Sequence, residues 1–129
     1  MKTRTILVVD DSLITVRKLS RMLEELGYRV AGSAQEANEA VRLYGELRPD
    51  MVTMDITLPG ASGIEAVKRI IEMDSGALIV MATSHGQEQM VIDSIDAGAK
   101  GYVMKPVNSA ILKDTIEKVF AKYGDGGDA

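Results

Sequence analysis

The stretch "ALIVMA", Ala77–Ala82, sets six apolar residues side by side with no polar residue among them. A strand with one face in water alternates apolar and polar residues, so a run of this kind belongs to a strand covered on both faces. Ile6–Val9 and Met51–Met54 read as further short strands. Tyr28–Ser33 and Gly101–Met104 complete a set of five, with Val30 the surest inward residue of the second. Between the strands, apolar residues recur at helical spacing. Val16, Leu19, Leu23 and Leu26 lie between a candidate N-cap, Ser12, and a closing Gly27. Ala37, Ala40, Val41 and Tyr44 mark a second helix that stops before Pro49. Ile64, Val67, Ile70 and Ile71 mark a third, Met90, Val91 and Ile95 a fourth ending near Gly98, and Leu112, Ile116, Val119 and Phe120 a fifth. Strands alternating with helices in this way predict an α/β fold, a doubly wound parallel sheet with helices on both faces.

In such a sheet the carboxyl ends of all strands share one edge, and ligands bind there in the crevice where the strand order reverses. The polar residues of this chain gather at strand ends: Asp10 and Asp11 after the first, Asp55 after the third, Thr83 after the fourth and Lys105 after the fifth. Two carboxylates about 4 Å apart repel by about 4 kcal/mol at an effective dielectric of 20. Three mutual pairs approach about 10 kcal/mol as an upper bound, comparable to the stability of a whole domain. The cluster must therefore protonate, recruit a cation or lean on Lys105. A hard divalent ion such as Mg²⁺ suits oxygen ligands of this kind and accepts phosphate oxygens as well. No His or Cys accompanies the acids, which disfavours zinc. With two acids neutralised by metal, the third becomes a candidate phosphoryl acceptor beside a lysine and a threonine hydroxyl.

Composition narrows the field. At 129 residues, one domain is expected, and 46% hydrophobic with 26% charged residues is ordinary for a globular chain. The formal net charge of −4 argues against direct nucleic-acid binding. There is no cysteine for a disulfide or thiolate site. The apolar run after Lys2 and Arg4 is too short for a signal peptide, and none approaches membrane-spanning length. A soluble, cytoplasmic protein with no membrane partner is expected.

The set Asp10-Asp11, Asp55, Thr83 and Lys105-Pro106 resembles the signature of response-regulator receiver domains, over about residues 4–122. "VTMDITLPGASG" is similar to the family's phosphorylation segment and "AGAKGYVMKP" to its last strand and lysine. "MVIDSIDAGAK" and "DMVTMDITLP" look closest to the chemotaxis-type, CheY-like single-domain regulators. The resemblance implies a flavodoxin-like sheet of order 2-1-3-4-5. It also implies that Asp55 is the phospho-acceptor, fed by a histidine kinase. Asp11 and Asp55 would ligate Mg²⁺ directly, Asp10 through water and Thr57 through its backbone carbonyl. Lys105 would pair with the phosphoryl group, Thr83 would move toward it, and Tyr102 would be the aromatic switch. Thr57 and His85 stand at positions that tune the phosphate lifetime, and the Lys105-Pro106 bond is expected to be cis. Ser62 and Val107 depart from a common acid and a common aromatic. Residues 1–123 would form the receiver domain and 124–129 a Gly/Asp tail. The implied output is altered affinity for a partner, such as a flagellar motor switch or a phosphatase, by a signalling protein and monomer rather than an enzyme.

Plainer readings stand beside these. Asp10 and Asp11 also suit a solvated helix N-terminus. Ser84 competes with Thr83, Tyr102 could be packed in the sheet, and His85 could face solvent in a loop. Methionines are more often core filler than binding surface, although Met54, Met81 and Met104 are expected to border the pocket. Arg17, Lys18 and Arg21 suit a solvated face first and a docking face second. Alternatives for the whole chain are a receiver cut from a longer DNA-binding or enzymatic regulator, a small phosphatase with an aspartyl nucleophile of the haloacid-dehalogenase type, and a dinucleotide-binding module. The phosphatase would want Asp-x-Asp where this chain has Asp-Asp-Ser, and the dinucleotide module a Gly-rich phosphate loop.

Overall fold

The structure, a computed structural model, describes residues 3–84 and 87–124. Strands β1 (Thr5–Val9), β2 (Arg29–Ala34), β3 (Met51–Met54), β4 (Ile79–Thr83) and β5 (Gly101–Met104) form one parallel sheet in the order β2-β1-β3-β4-β5. Helices α1 (Leu13–Glu25), α2 (Ala37–Leu47), α3 (Gly63–Met73), α4 (Glu88–Ala97) and α5 (Ser109–Val119) connect and follow them. The expected fold class and strand order are both present.

The runs without alternation occupy the centre. Every residue of β3 and β4 is buried, because both faces of the sheet are covered. Leu7, Val9, Val52 and Met54 pack with Ala40, Tyr44, Val67 and Ile70 of α2 and α3. Ile6, Val8, Met51 and Val80 pack on the other side with Leu19 and Leu23 of α1 and Leu112 and Ile116 of α5. Burial of a large aliphatic side chain contributes about 1.5–3 kcal/mol, so these two layers supply most of the cohesion.

The structure refines the burial of two elements and corrects two boundaries. Val30 faces inward as expected and packs against the core, but it is only partly buried, and Ala34 is the fully buried residue of the second strand, since β2 is an edge strand covered less completely. The fourth strand begins at Ile79 rather than Ala77, where pairing with Val52 of β3 starts; Ala77 and Leu78 are buried ahead of it. Ile95 of α4 is 45% exposed, and Ser94 is the buried residue of that helix, its hydroxyl donating to the Met90 carbonyl. At the chain's far end Phe120–Gly124 makes a π-helical turn, so Gly124 is part of the folded body, and residues 125–129 of the expected tail lie outside the described residues.

Candidate phosphoryl and metal site

Strands β1 and β3 lie side by side at the point where the strand order reverses, with Val9 opposite Met54. The next residues, Asp10 and Asp55, therefore leave the sheet together, and the Asp55 N–H donates to the Val9 carbonyl at 3.0 Å. Asp11 follows at once. One carboxylate oxygen from each of Asp10, Asp11 and Asp55 lies within 4.8 Å of the others. The three acids do share one spot, as their places in the sequence implied.

Their surroundings differ. Asp10 is 1% exposed; its Oδ1 accepts from the Ser12 N–H at 2.9 Å and its Oδ2 pairs with Lys105 Nζ at 2.5 Å. Asp55 is buried, accepts weakly from the Thr57 N–H at 3.4 Å, and meets Lys105 Nζ at 3.3 Å. Asp11 is exposed, and among the described residues no hydrogen bond or ion pair holds its carboxylate. Ser12 caps α1, accepting from the Thr15 N–H, so the helix starts immediately behind the acids.

Lys105 arrives from the edge strand β5. Its backbone N–H donates to the Thr83 carbonyl at 2.9 Å, and the following Lys105-Pro106 bond is cis, as expected. Burial alone would lower the pKa of its ammonium, but the hydrogen bond and charge of Asp10 and the charge of Asp55 outweigh this and hold it above the ordinary lysine value. Asp55 is pushed the other way. Burial raises its carboxyl pKa, Lys105 opposes the rise, and Asp10 adds to it, leaving Asp55 above the usual carboxylate value. Lys105 serves Asp10 more closely than Asp55, so the one ammonium does not satisfy the acceptor candidate.

Three carboxylates facing one ammonium leave an excess of negative charge, and every donor atom in the cluster is oxygen. This set fits a hard divalent cation such as Mg²⁺, which also tolerates an exposed, water-facing ligand like Asp11. Thr57 is exposed, and its contact with the cluster is the N–H that donates to Asp55 Oδ1 at 3.4 Å. Thr83 is buried at the end of β4, whereas Ser84 is exposed. Tyr102 is 45% exposed on β5, not packed within the sheet. Met54 and Met81 are fully buried core residues, and Met104 is exposed, so the methionines do not form a pocket wall together. His85 lies outside the described residues.

Two contributors escaped the sequence. Gly63 approaches the site so closely that a Cβ there would lie 1.8 Å from the Asp55 carbonyl oxygen, while its N–H donates to Ile56. Its only signal was membership of a turn-rich loop. Gln35, just after β2, donates from Nε2 to the Asp11 carbonyl at 3.2 Å. Nothing in the local pattern marks it, since the contact spans 24 residues of sequence.

The model of the response regulator receiver domain family matches residues 6–117. The chemotaxis protein CheY of Thermotoga maritima is 41% identical over 116 residues, covering 90% of this chain and 97% of that protein. CheY of Halobacterium salinarum is 42% identical over 116 residues, covering 90% and 96%. The crystal structure of a CheX-CheY-BeF3-Mg complex from Borrelia burgdorferi superposes with a TM-score of 0.88 at 34% identity, covering 91% of this chain and 89% of that one. With its fold, its three gathered aspartates and these likenesses, the chain belongs to the response regulator receiver domain family.

Proposed function

We propose that this chain is a phosphorylation-activated switch of a two-component system, with Asp55 accepting a phosphoryl group from a histidine kinase. The observation that carries the reading is the trio Asp10, Asp11 and Asp55, with oxygens within 4.8 Å, facing the single ammonium of Lys105. Asp55 Oδ attacks phosphorus as the bond to the kinase imidazole breaks, and the imidazole leaves with the bonding pair. Bound Mg²⁺ would supply charge neutralisation for the transferring oxygens. Asp11 and Asp55 would hold it directly, Asp10 through water and Thr57 through its carbonyl. Lys105 then turns from Asp10 and Asp55 toward the phosphoryl oxygens, and the Thr83 hydroxyl donates to them. The chain is not an enzyme on a separate substrate; it catalyses its own phosphotransfer and slow dephosphorylation.

Output runs through the face bearing Ile95, Tyr102, Met104 and Ile111, each at least 41% exposed. Movement of Thr83 vacates space for the Tyr102 ring, giving a two-state element that the phosphoryl group biases and a partner senses. The names of the CheY relatives support chemotaxis as the pathway; the reading extends to a flagellar motor switch or a phosphatase as partner, in the cytoplasm and as a monomer. No helix among the described residues is long and apolar enough to cross a membrane. The test is to record amide chemical shifts with and without Mg²⁺ and beryllofluoride. Shifts spreading from the pocket through residues 84–105 are expected. Shifts confined to the pocket would mean that the phosphoryl mimic binds without switching this face.

A further inference from the structure

Of the three acids, Asp11 is the least constrained: exposed, with a carboxylate that no described residue holds. A loose ligand weakens a metal site, because its freedom is lost on binding. The main chain of Asp11 is anchored, however. The Asp10 N–H donates to the Ala34 carbonyl at 3.0 Å, which brings the end of β2 against the end of β1. Gln35 follows Ala34, and its side-chain amide donates to the Asp11 carbonyl at 3.2 Å. Gln35 is itself fixed, because its N–H donates to Glu39 Oε1 at 2.9 Å, a contact that ties it to the first turn of α2. Glu39 thus sets the backbone of Gln35, and Gln35 sets the backbone of Asp11.

We propose that Gln35 is a positioning residue for the metal site, holding the peptide of Asp11 so that its carboxylate stays beside those of Asp10 and Asp55. This rests on the metal-dependent reading above. Truncating Gln35 removes one neutral hydrogen bond at the surface, so Mg²⁺ affinity should fall by roughly threefold. Gln35→Glu separates the mechanism from simple electrostatics. A carboxylate cannot donate to the Asp11 carbonyl and repels it, yet its added negative charge would by itself attract a cation.

The experiment is calorimetric titration of the whole chain with MgCl₂ for wild type, Asp11→Ala, Gln35→Ala and Gln35→Glu, with melting temperatures measured in EDTA. The expected result is weaker binding in both Gln35 variants, with metal-free melting temperatures equal to wild type. Gln35→Ala binding Mg²⁺ as wild type does, or Gln35→Glu binding it more tightly, would overturn the proposal while leaving the metal site intact. A metal-free melting temperature that falls in step with affinity would make Gln35 a structural residue instead. Wild type that binds no Mg²⁺, or binds it as Asp11→Ala does, would remove the metal-dependent reading and the proposal together.

Discussion

The two edges of the sheet use aspartate to opposite ends. At the amino-terminal edge, Asp50 precedes β3 and its Oδ2 accepts from the Thr5 N–H at 2.7 Å and the Thr5 hydroxyl at 3.3 Å. Asp74, ahead of β4, accepts from the Tyr44 hydroxyl at 2.7 Å and the Gly76 N–H at 3.0 Å, with Arg48 Nη1 at 3.5 Å. Each of these acids has donors of its own. At the carboxyl-terminal edge, among the described residues, three acids divide one ammonium and two backbone N–H groups. Where each acid has donors of its own, an aspartate fastens the fold; where three acids share three donor groups and one of them, Asp11, receives none among the described residues, the fold holds charge in reserve for a ligand. Counting donors, rather than finding aspartates at strand ends, separates the two edges.

The contrast is sharpest in the sign of mutational effects. Asp74→Ala should cost about 3 kcal/mol in urea denaturation, because it leaves the hydroxyl of Tyr44, a residue 3% exposed, without its acceptor. Mg²⁺-dependent phosphorylation should survive it. An unchanged midpoint would break the claim that this edge is structural. Mg²⁺ itself should raise wild-type stability by about 1.4 kcal/mol at ten times its dissociation constant. It should raise that of Asp74→Ala by the same amount, since the two edges are independent.

Asp55→Asn should act in the opposite direction and raise the metal-free melting temperature. The raised pKa of Asp55 means that the folded chain holds this proton more tightly than the unfolded chain, so ionising it lowers stability. As pH rises from the ordinary carboxylate value of 3.8 through the folded-state value, wild type should lose stability relative to Asp55→Asn. Below 3.8 the two should converge. A variant less stable than wild type at neutral pH without metal would show that Lys105 fully satisfies Asp55. The smallest effect is expected between the edges. Thr53 Oγ1, in the middle of β3, is a buried hydroxyl with no hydrogen-bond partner among the described residues. Thr53→Val keeps the shape and removes the unpaired group, for a gain of about 1 kcal/mol by thermal unfolding.

Much of this was legible in the chain. β3 and β4 are covered on both faces, so their apolar runs announced them; β2 lies at an edge, so its inward Val30 was legible but the deeper burial of Ala34 was not. Ile95 falls in α4 as its spacing implied, but its exposure was not legible, because helical periodicity cannot tell a face packed on the sheet from one turned to solvent. Asp10, Asp11 and Asp55 were legible because a parallel sheet brings strand ends to one edge. The preference of Lys105 for Asp10, and the reach of Gln35 to Asp11, were not, since both depend on side-chain paths across 95 and 24 residues of sequence.

The central claim is that the charge excess at the carboxyl-terminal edge exists so that Asp55 can take a phosphoryl group. It is tested most directly by intact-mass measurement and peptide mapping after exposure to acetyl phosphate. One added phosphate on Asp55, formed with Mg²⁺ and absent with EDTA or in Asp55→Asn, is the expected result. A phosphate that forms equally well in Asp55→Asn, or that maps to Thr83 or Ser84, would contradict it.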